Sequence, residues 1–114
     1  MEVQVFGVKK SSETRAALRF FAERRIKVHF VDFAVRAPSK GELQRFAQKF
    51  GIAALIDRGS KRFQERGLGP ALYSDDRWLE LLADQPLLLR MPLVRCGREL
   101  TIGAAPATWA DWRE

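Results

Sequence analysis

Two strand patterns separated by one helical pattern constrain the fold of this chain more than any other feature. The run "EVQVFGV", residues 2–8, alternates apolar and polar side chains, and "KVHFVDF", residues 27–33, is a second β-rich run. Between them, Ser11 or Ser12 caps a predicted helix that ends at about Arg25. Because a strand, a helix and a strand of these lengths form a βαβ unit, the two strands are predicted to be parallel.

The middle of the chain is predicted to be helical, with one long loop. The capping-box pattern Ser39-x-x-Glu42 starts a helix, Gly51 ends it, and "IAALID" follows as a further short helical turn. Glycines and charges dominate "RGSKRFQERGLGP", residues 58–70. This composition predicts an exposed loop.

The last third of the chain returns to strands. Asp75 or Asp76 is predicted to cap a helix over "RWLELLAD", after which "PLVRC" and "ELTIG" flank the dipeptide "GR" as an antiparallel hairpin. A final short helix begins at Pro106 and carries Trp109 and Trp112, which are predicted to close the core. This order of elements predicts an α/β, thioredoxin-like fold. Its four-stranded mixed sheet combines the βαβ unit with a C-terminal β-hairpin and helix, and further helices are inserted between these halves.

The composition agrees with such a fold. Hydrophobic residues make up 46% of the 114-residue chain, which suits one domain over residues 1–114 with a single core. No apolar run approaches the roughly 20 residues of a membrane helix, and the chain starts with a strand pattern instead of a signal peptide. We therefore expect a cytoplasmic protein without membrane association.

Cysteine and histidine usage excludes several classes of site. Cys96 is the only cysteine and His29 the only histidine, so there is no disulfide framework and no CxxC redox pair, and no metal is expected. Cys96 lies in a short apolar strand and is predicted to be an inert core thiol. His29 is predicted to be a surface or packing residue.

The net charge of +6 is unevenly distributed along the chain. Residues 1–66 carry 15 Lys and Arg against 7 Asp and Glu, whereas residues 67–114 carry 5 against 7. Such asymmetry is typical of some nucleic-acid-binding proteins. Here, however, the charges follow helical periods and lack the interleaved aromatic residues of a single-strand binder. A solvated basic helix surface is the favoured interpretation, and no nucleic-acid partner is predicted.

Five segments, taken in order, resemble a known family over nearly the whole chain. They are "VFGVKKSSETRAALRFF", "VHFVDF", "LIDRGSKRF", "LLADQPLLLRMPLV" and "ELTIG". They resemble segments of the arsenate reductase (ArsC) family, including its Spx and YffB branches. The first resembles the unit of opening strand, loop and helix, and the second resembles the family's second strand. The other three resemble, in order, its arginine–glycine segment, its proline-containing apolar stretch and its closing strand. The resemblance implies the same thioredoxin-like fold as the order of elements.

The resemblance also assigns the positions of the family's thiols, and both thiols are absent. The nucleophilic cysteine corresponds to Ser11, and the second cysteine of Spx-type members corresponds to Thr14. A serine carries no redox-active sulfur and is a weak nucleophile without an adjacent base. No catalytic residue is therefore predicted, and the chain is interpreted as a degenerate family member.

A small oxyanion remains a candidate ligand, because helix N-termini and arginine side chains bind anions. The predicted anion-binding residues are Ser11, Ser12, Arg15, Arg58 and Arg90. A simpler interpretation stays open, in which the two serines only cap the helix and Arg58 is a solvated loop charge.

The remaining family positions around this site are only partly kept. Arg58 corresponds to a family arginine that holds the oxyanion, but Met91 replaces the arginine that usually precedes Pro92, which displaces this charge to Arg90. A third arginine of the reductases corresponds to Gly103. The resemblance gives Pro92 a structural role and implies that the Met91–Pro92 peptide bond is cis.

The sequence is compatible with two functions. The favoured one is a binding or regulatory module that has lost thiol redox catalysis and binds a protein partner or a small anion. The Spx branch implies the transcription machinery as one such partner. The alternative is an arsenate-reductase-like or glutathione-dependent thiol oxidoreductase that uses an external thiol. No cofactor is predicted for the first function, and glutathione is the candidate thiol for the second.

Overall fold

The computed structural model describes residues 1–113 and contains one four-stranded sheet. β1 (Glu2–Gly7) and β2 (Lys27–Asp32) run parallel, while β3 (Leu93–Cys96) is antiparallel both to β1 and to β4 (Glu99–Ile102). The strand order β2-β1-β3-β4 places the hairpin beside the first strand of the βαβ unit. The predicted α/β fold with a mixed sheet is confirmed.

The elements belong to two compact units. In chain order the helices are α1 (Ser12–Glu23), α2 (Lys40–Phe50), α3 (Ile52–Leu55), α4 (Lys61–Glu65), α5 (Asp75–Asp84), a 3-10 turn (Pro86–Leu88) and α6 (Pro106–Ala110). The first unit comprises residues 1–36 and the segment from Met91 onward, and the second comprises residues 37–90. The sheet, α1 and α6 therefore lie in the first unit, and the other helices lie in the second. The single domain predicted from the sequence stays a prediction.

The core of the first unit joins the sheet to its two helices. One buried cluster contains Val3, Val5, Ala17, Phe21, Val94, Trp109 and Trp112. The Phe21 ring lies 5.2 Å from that of Trp109 and 6.4 Å from that of Trp112, measured between centroids. Both tryptophans thus close the core, as predicted. Trp112, however, follows α6 instead of belonging to it, because its N–H bonds to the Trp109 carbonyl in a tighter 3-10 pattern.

The second unit begins with the predicted capping box. Ser39 Oγ accepts from the Glu42 N–H at 3.0 Å, and Glu42 Oε1 accepts from the Ser39 N–H at 2.8 Å. Leu43 and Phe46 are the buried residues of α2, and Gly51 ends the helix with φ 84°, a conformation that favours glycine.

The prediction of an exposed loop over residues 58–70 is wrong for the central part of this segment. Residues 61–65 form α4, and Ser60 caps this helix by accepting from the Phe63 N–H at 3.1 Å. Phe63 and Leu68 are buried, with 5% exposure each. Burial of these two side chains stabilises a short helix that glycine and charge content alone would not predict.

The predicted cap of α5 is also wrong. Ser74, not Asp75 or Asp76, is the cap residue, and its Oγ accepts from the Arg77 N–H at 3.1 Å. The two aspartates lie in the first turn instead, where negative charge interacts favourably with the helix dipole. Serine and aspartate are both good caps, so the sequence pattern could not decide between adjacent positions.

The predicted hairpin is confirmed. Cys96 pairs with Glu99 across a turn formed by Gly97 and Arg98, and Gly97 has φ 60°, as a primed turn requires. Among residues 1–113, no helix has the length and hydropathy needed to cross a membrane.

Candidate functional site

The turn after β1 leads directly into α1. The Ser11 N–H donates to the Val8 carbonyl at 3.1 Å, which closes a turn with Lys9 and Lys10 exposed at its tip. The N-terminus of α1 therefore lies at the carboxyl end of a sheet strand. α/β proteins commonly bind ligands at this end of the sheet.

Ser11, and not Ser12, caps α1. Its Oγ accepts from the Thr14 N–H at 3.2 Å, and its backbone is extended, with φ −74° and ψ 118°. Ser12 is the first helical residue and is exposed. The N–H groups of Ser12 and Glu13 have no acceptor within residues 1–113. These two donors are available to an anion at the helix N-terminus.

Arg15 folds back over the same turn. Its Nη1 donates to the Lys9 carbonyl at 2.7 Å, so the guanidinium is held beside the first turn of α1 although the side chain is exposed. Lys9, Lys10 and Arg15 thus place three positive charges around a helix N-terminus that is itself partly positive. Three of the five predicted anion-binding residues, Ser11, Ser12 and Arg15, share this turn.

Thr14, at the position of the second family thiol, is fully buried. Its Oγ1 has no hydrogen-bond partner within residues 1–113. A Cβ added to Gly7 would come within 2.5 Å of this oxygen, so α1 and β1 approach each other closely at this point. The sequence pattern did not predict this close contact between Gly7 and Thr14. The one sequence feature that points to it is the glycine at the end of β1, because a glycine in a strand often marks a close backbone approach.

Pro92 and Gly103 also lie in the first unit. The Met91–Pro92 peptide bond is cis, as predicted. Pro92 is buried, and its carbonyl accepts from the Gly103 N–H at 2.8 Å. Gly103 has φ 76°, and a Cβ at this position would lie 3.9 Å from Glu13 Oε2. A side chain at Gly103 would therefore be strained by the backbone conformation more than by its surroundings.

Arg58 and Arg90 lie in the second unit, on two facing segments. Ile56 and Leu89 form an isolated antiparallel bridge, and the Arg90 N–H donates to the Leu55 carbonyl at 2.8 Å. Both arginine side chains are exposed, and the Arg58 guanidinium lies 5.4 Å from the centre of the Phe63 ring. Their predicted roles in binding an anion stay predictions.

Neither Cys96 nor His29 lies at this turn. Cys96 follows Arg95, the residue paired with Gln4, and so lies toward the amino end of β1, whereas Ser11 follows its carboxyl end. Burial raises the pKa of the half-buried Cys96 thiol, and the nearby Glu99 carboxylate raises it further, against an opposite effect of the N-terminal ammonium. His29 is exposed on β2. Within residues 1–113, no group of three or more His, Cys, Asp or Glu could hold a metal ion.

The fold and the position of the turn define a class of protein. A βαβ unit joined to an antiparallel hairpin, with a helix N-terminus at the carboxyl end of the first strand, is the thioredoxin-like arrangement. A family model described as the ArsC family matches residues 6–112. The chain therefore belongs to the ArsC family.

Known proteins agree with this assignment. An arsenate reductase of Neisseria meningitidis is 31% identical to the chain in an alignment over 107 residues, and the match covers 90% of each protein. The solved structure of an arsenate reductase from Vibrio cholerae is 26% identical, with a TM-score of 0.82 over 95% of this chain and 94% of that chain. A YFFB protein is 19% identical and shares the fold, with a TM-score of 0.86 over 95% and 96% of the two chains. These likenesses confirm the predicted thioredoxin-like fold and the family resemblance.

Proposed function

We propose that this ArsC-family protein binds a small oxyanion at the N-terminus of α1 and performs no thiol redox chemistry there. The observation that carries the proposal is the hydrogen bond that the Ser11 hydroxyl makes at the start of α1. Ser11 Oγ serves as the helix cap at the position where the resemblance expects a thiolate. Sulfur is absent from the whole turn between β1 and α1.

The chemistry of this turn supports the loss of redox activity. Thiol redox catalysis needs a sulfur atom that forms and exchanges a disulfide, and a hydroxyl cannot do this. A serine hydroxyl also requires an adjacent base to act as a nucleophile. Ser11 Oγ accepts a backbone N–H, and no hydrogen bond joins it to His29 or to a carboxylate within the described residues.

Cys96 does not replace the missing thiol. The strand pairing places it beyond the partner of Gln4, so Gln4 to Gly7 separates it from the turn by at least about 10 Å along β1. Burial raises the pKa of this thiol, which lowers the thiolate fraction at neutral pH. Its distance from the turn and its raised pKa both support the proposal that Cys96 does not act as the family's nucleophilic thiol.

The same turn retains what an anion needs. The N–H groups of Ser12 and Glu13 lack acceptors among residues 1–113. The Arg15 guanidinium is held against the Lys9 carbonyl, and the side chains of Lys9 and Lys10 are exposed. Sites for phosphate or arsenate usually bind the anion with oriented backbone N–H groups and several cationic side chains. A tetrahedral oxyanion is therefore the ligand class that we propose.

An NMR titration with inorganic phosphate tests the proposal. We expect backbone amide shifts confined to residues 9–15, and Arg15→Gln should weaken binding at least about fivefold, as expected for the loss of one charge-assisted contact. Arg19→Gln removes the same charge from the exposed surface of α1 one turn later and should leave binding unchanged. Shifts that avoid residues 9–15, or equal effects of the two variants, would contradict the proposal.

One observation favours a second function, which is arsenate reduction with an external thiol such as glutathione. The Neisseria meningitidis relative, 31% identical over 107 residues, is named an arsenate reductase. Glutathione consumption that depends on arsenate separates the two functions. Turnover well above a control without protein would support the reductase, whereas phosphate binding without turnover would support the binding module. A protein partner, including the transcription machinery, stays a proposal from the resemblance.

A further inference from the structure

Three adjacent strands carry a row of polar side chains on the side of the sheet away from α1. Gln4 of β1 pairs with His29 of β2 on one side and with Arg95 of β3 on the other. Paired residues of neighbouring strands point to the same face. Val3 and Val5 alternate with Gln4 and are buried in the cluster with α1 and α6, so the row faces the other way.

This row borders an open cavity in the first unit. The cavity has a volume of about 260 Å³ and is lined by Glu2, Gln4, His29, Arg95 and Gly97. It lies at the amino end of β1, whereas the turn with Ser11 follows the carboxyl end of the same strand. The cavity is therefore distinct from the proposed oxyanion site.

Arg95 lines this cavity with a guanidinium that is held in place by the hairpin turn. Its Nε donates to the Gly97 carbonyl at 3.0 Å, which fixes the guanidinium while leaving the Nη atoms without a partner in residues 1–113. The edge formed by the two Nη atoms is therefore free, and a fixed guanidinium edge of this kind matches the geometry of a carboxylate. Gln4, in the middle of the row, offers an amide donor to the same group.

Glu2 supplies the opposite charge in the same cavity. It lies two residues before Gln4 on the same face of β1, and its carboxylate forms no ion pair with Arg95 or with Lys27, its neighbour on β2. A purely anionic ligand would be repelled by Glu2, and a purely cationic ligand by Arg95. A ligand with both charges can contact both residues.

We propose that this cavity binds a small zwitterion with an α-amino carboxylate group. The ligand carboxylate contacts the Arg95 guanidinium and the Gln4 amide, and the ligand ammonium contacts the Glu2 carboxylate. His29 closes the far end of the row and offers a further hydrogen-bonding group. A cavity of about 260 Å³ has room for a molecule of amino-acid size.

Three probes of similar size test the proposal in an NMR titration of the full chain. They are L-alanine, which carries both charges, propionate, which lacks the ammonium, and ethylamine, which lacks the carboxylate. We expect L-alanine to shift amides of residues 2–4, 28–30 and 94–97 with a dissociation constant of about 1 to 10 mM, typical of a few charge-assisted contacts. Propionate and ethylamine should bind at least about tenfold more weakly.

Matched variants assign the contacts. Arg95→Gln and Glu2→Gln should each weaken L-alanine binding at least about tenfold. Arg98→Gln and Glu99→Gln, which change the same charges at exposed positions of the hairpin outside the cavity, should not. Equal binding of L-alanine and propionate would overturn the zwitterion and indicate a simple anion site. No shifts with any probe, shifts outside these residues, or equal effects of the control variants would overturn the cavity as a binding site.

Discussion

Two buried threonines of the first unit differ in whether the hydroxyl has a partner. Thr101, on β4, is buried, and its Oγ1 accepts from Trp109 Nε1 at 2.7 Å. Thr14 Oγ1 has no hydrogen-bond partner in the described part of the chain although the residue is fully buried. A buried hydroxyl without a hydrogen bond lowers the stability of the folded state. A buried hydroxyl that accepts a hydrogen bond avoids this cost and also satisfies the donor of its partner.

We therefore predict opposite effects of the same substitution at the two positions. Thr14→Val removes an unpaired oxygen and should leave the free energy of unfolding unchanged or raise it by up to about 1 kcal/mol. Thr101→Val leaves the Trp109 N–H unpaired and should lower it by about 1 to 3 kcal/mol. Urea unfolding of both variants measures the difference. A loss of stability in Thr14→Val as large as in Thr101→Val would contradict this account.

The electrostatics of the turn can be measured by placing a thiol at Ser11. In the variant Ser11→Cys with Cys96→Ala, the helix N-terminus and the charges of Lys9, Lys10 and Arg15 should stabilise the thiolate. The midpoint of iodoacetamide alkylation against pH should then lie below the roughly 8.5 of a free cysteine.

The unmodified chain provides the comparison for this experiment. Burial raises the pKa of Cys96, so the folded state disfavours its thiolate, and alkylation should require a pH above the ordinary value of about 8.5. A midpoint of the Ser11→Cys variant at or above the roughly 8.5 of a free cysteine would mean that the turn does not favour negative charge. The proposed oxyanion site would then lose its electrostatic basis.

At the scale of the elements, serine caps recur at the starts of helices. Ser11, Ser39, Ser60 and Ser74 each accept a backbone N–H from the residue three positions later. Such caps satisfy one of the donors that a helix leaves unpaired at its N-terminus. They explain why short helices such as α4 begin at a defined residue even where the surrounding sequence is rich in glycine.

The adjacent serines before α1 allow a test of one cap with an internal control. Ser11→Ala removes the acceptor of the Thr14 N–H and should lower the free energy of unfolding by about 1 kcal/mol. Ser12→Ala changes an exposed first helical residue and should have an effect within about 0.5 kcal/mol. Chemical denaturation distinguishes them, and equal effects would mean that Ser11 is not the cap in solution.

At the scale of the whole molecule, anion binding should appear as stability. A ligand that binds only the folded chain at ten times its dissociation constant adds about 1.4 kcal/mol. For a chain of this size, that corresponds to a rise in melting temperature of roughly 5 °C. Phosphate should give this rise relative to sodium chloride of equal ionic strength. The rise should fall to about half or less in Arg15→Gln, as fivefold weaker binding requires, and should be kept in Arg19→Gln. A rise that is equal in both variants would point to a general salt effect.

The sequence by itself determined the elements whose signal is local. Alternation identified β1, and a β-rich composition identified β2. The spacing of Ser39 and Glu42 identified the start of α2, and a glycine in a two-residue turn identified the hairpin. Each of these signals depends on residues within a few positions of one another, where backbone geometry links side-chain pattern directly to structure. The parallel pairing of β1 with β2 follows as well, because a helix between two strands leaves few other connections.

Only the tertiary structure decided the features that join distant parts of the chain. Burial of Phe63 and Leu68 produced a helix where composition predicted a loop. Packing of α1 against β1 left Thr14 Oγ1, beside Gly7, without a hydrogen-bond partner within residues 1–113. The row that joins Gln4, His29 and Arg95 exists because strand register brings together residues up to 91 positions apart. No local pattern encodes such neighbours, since their contact depends on the burial and pairing of the complete sheet.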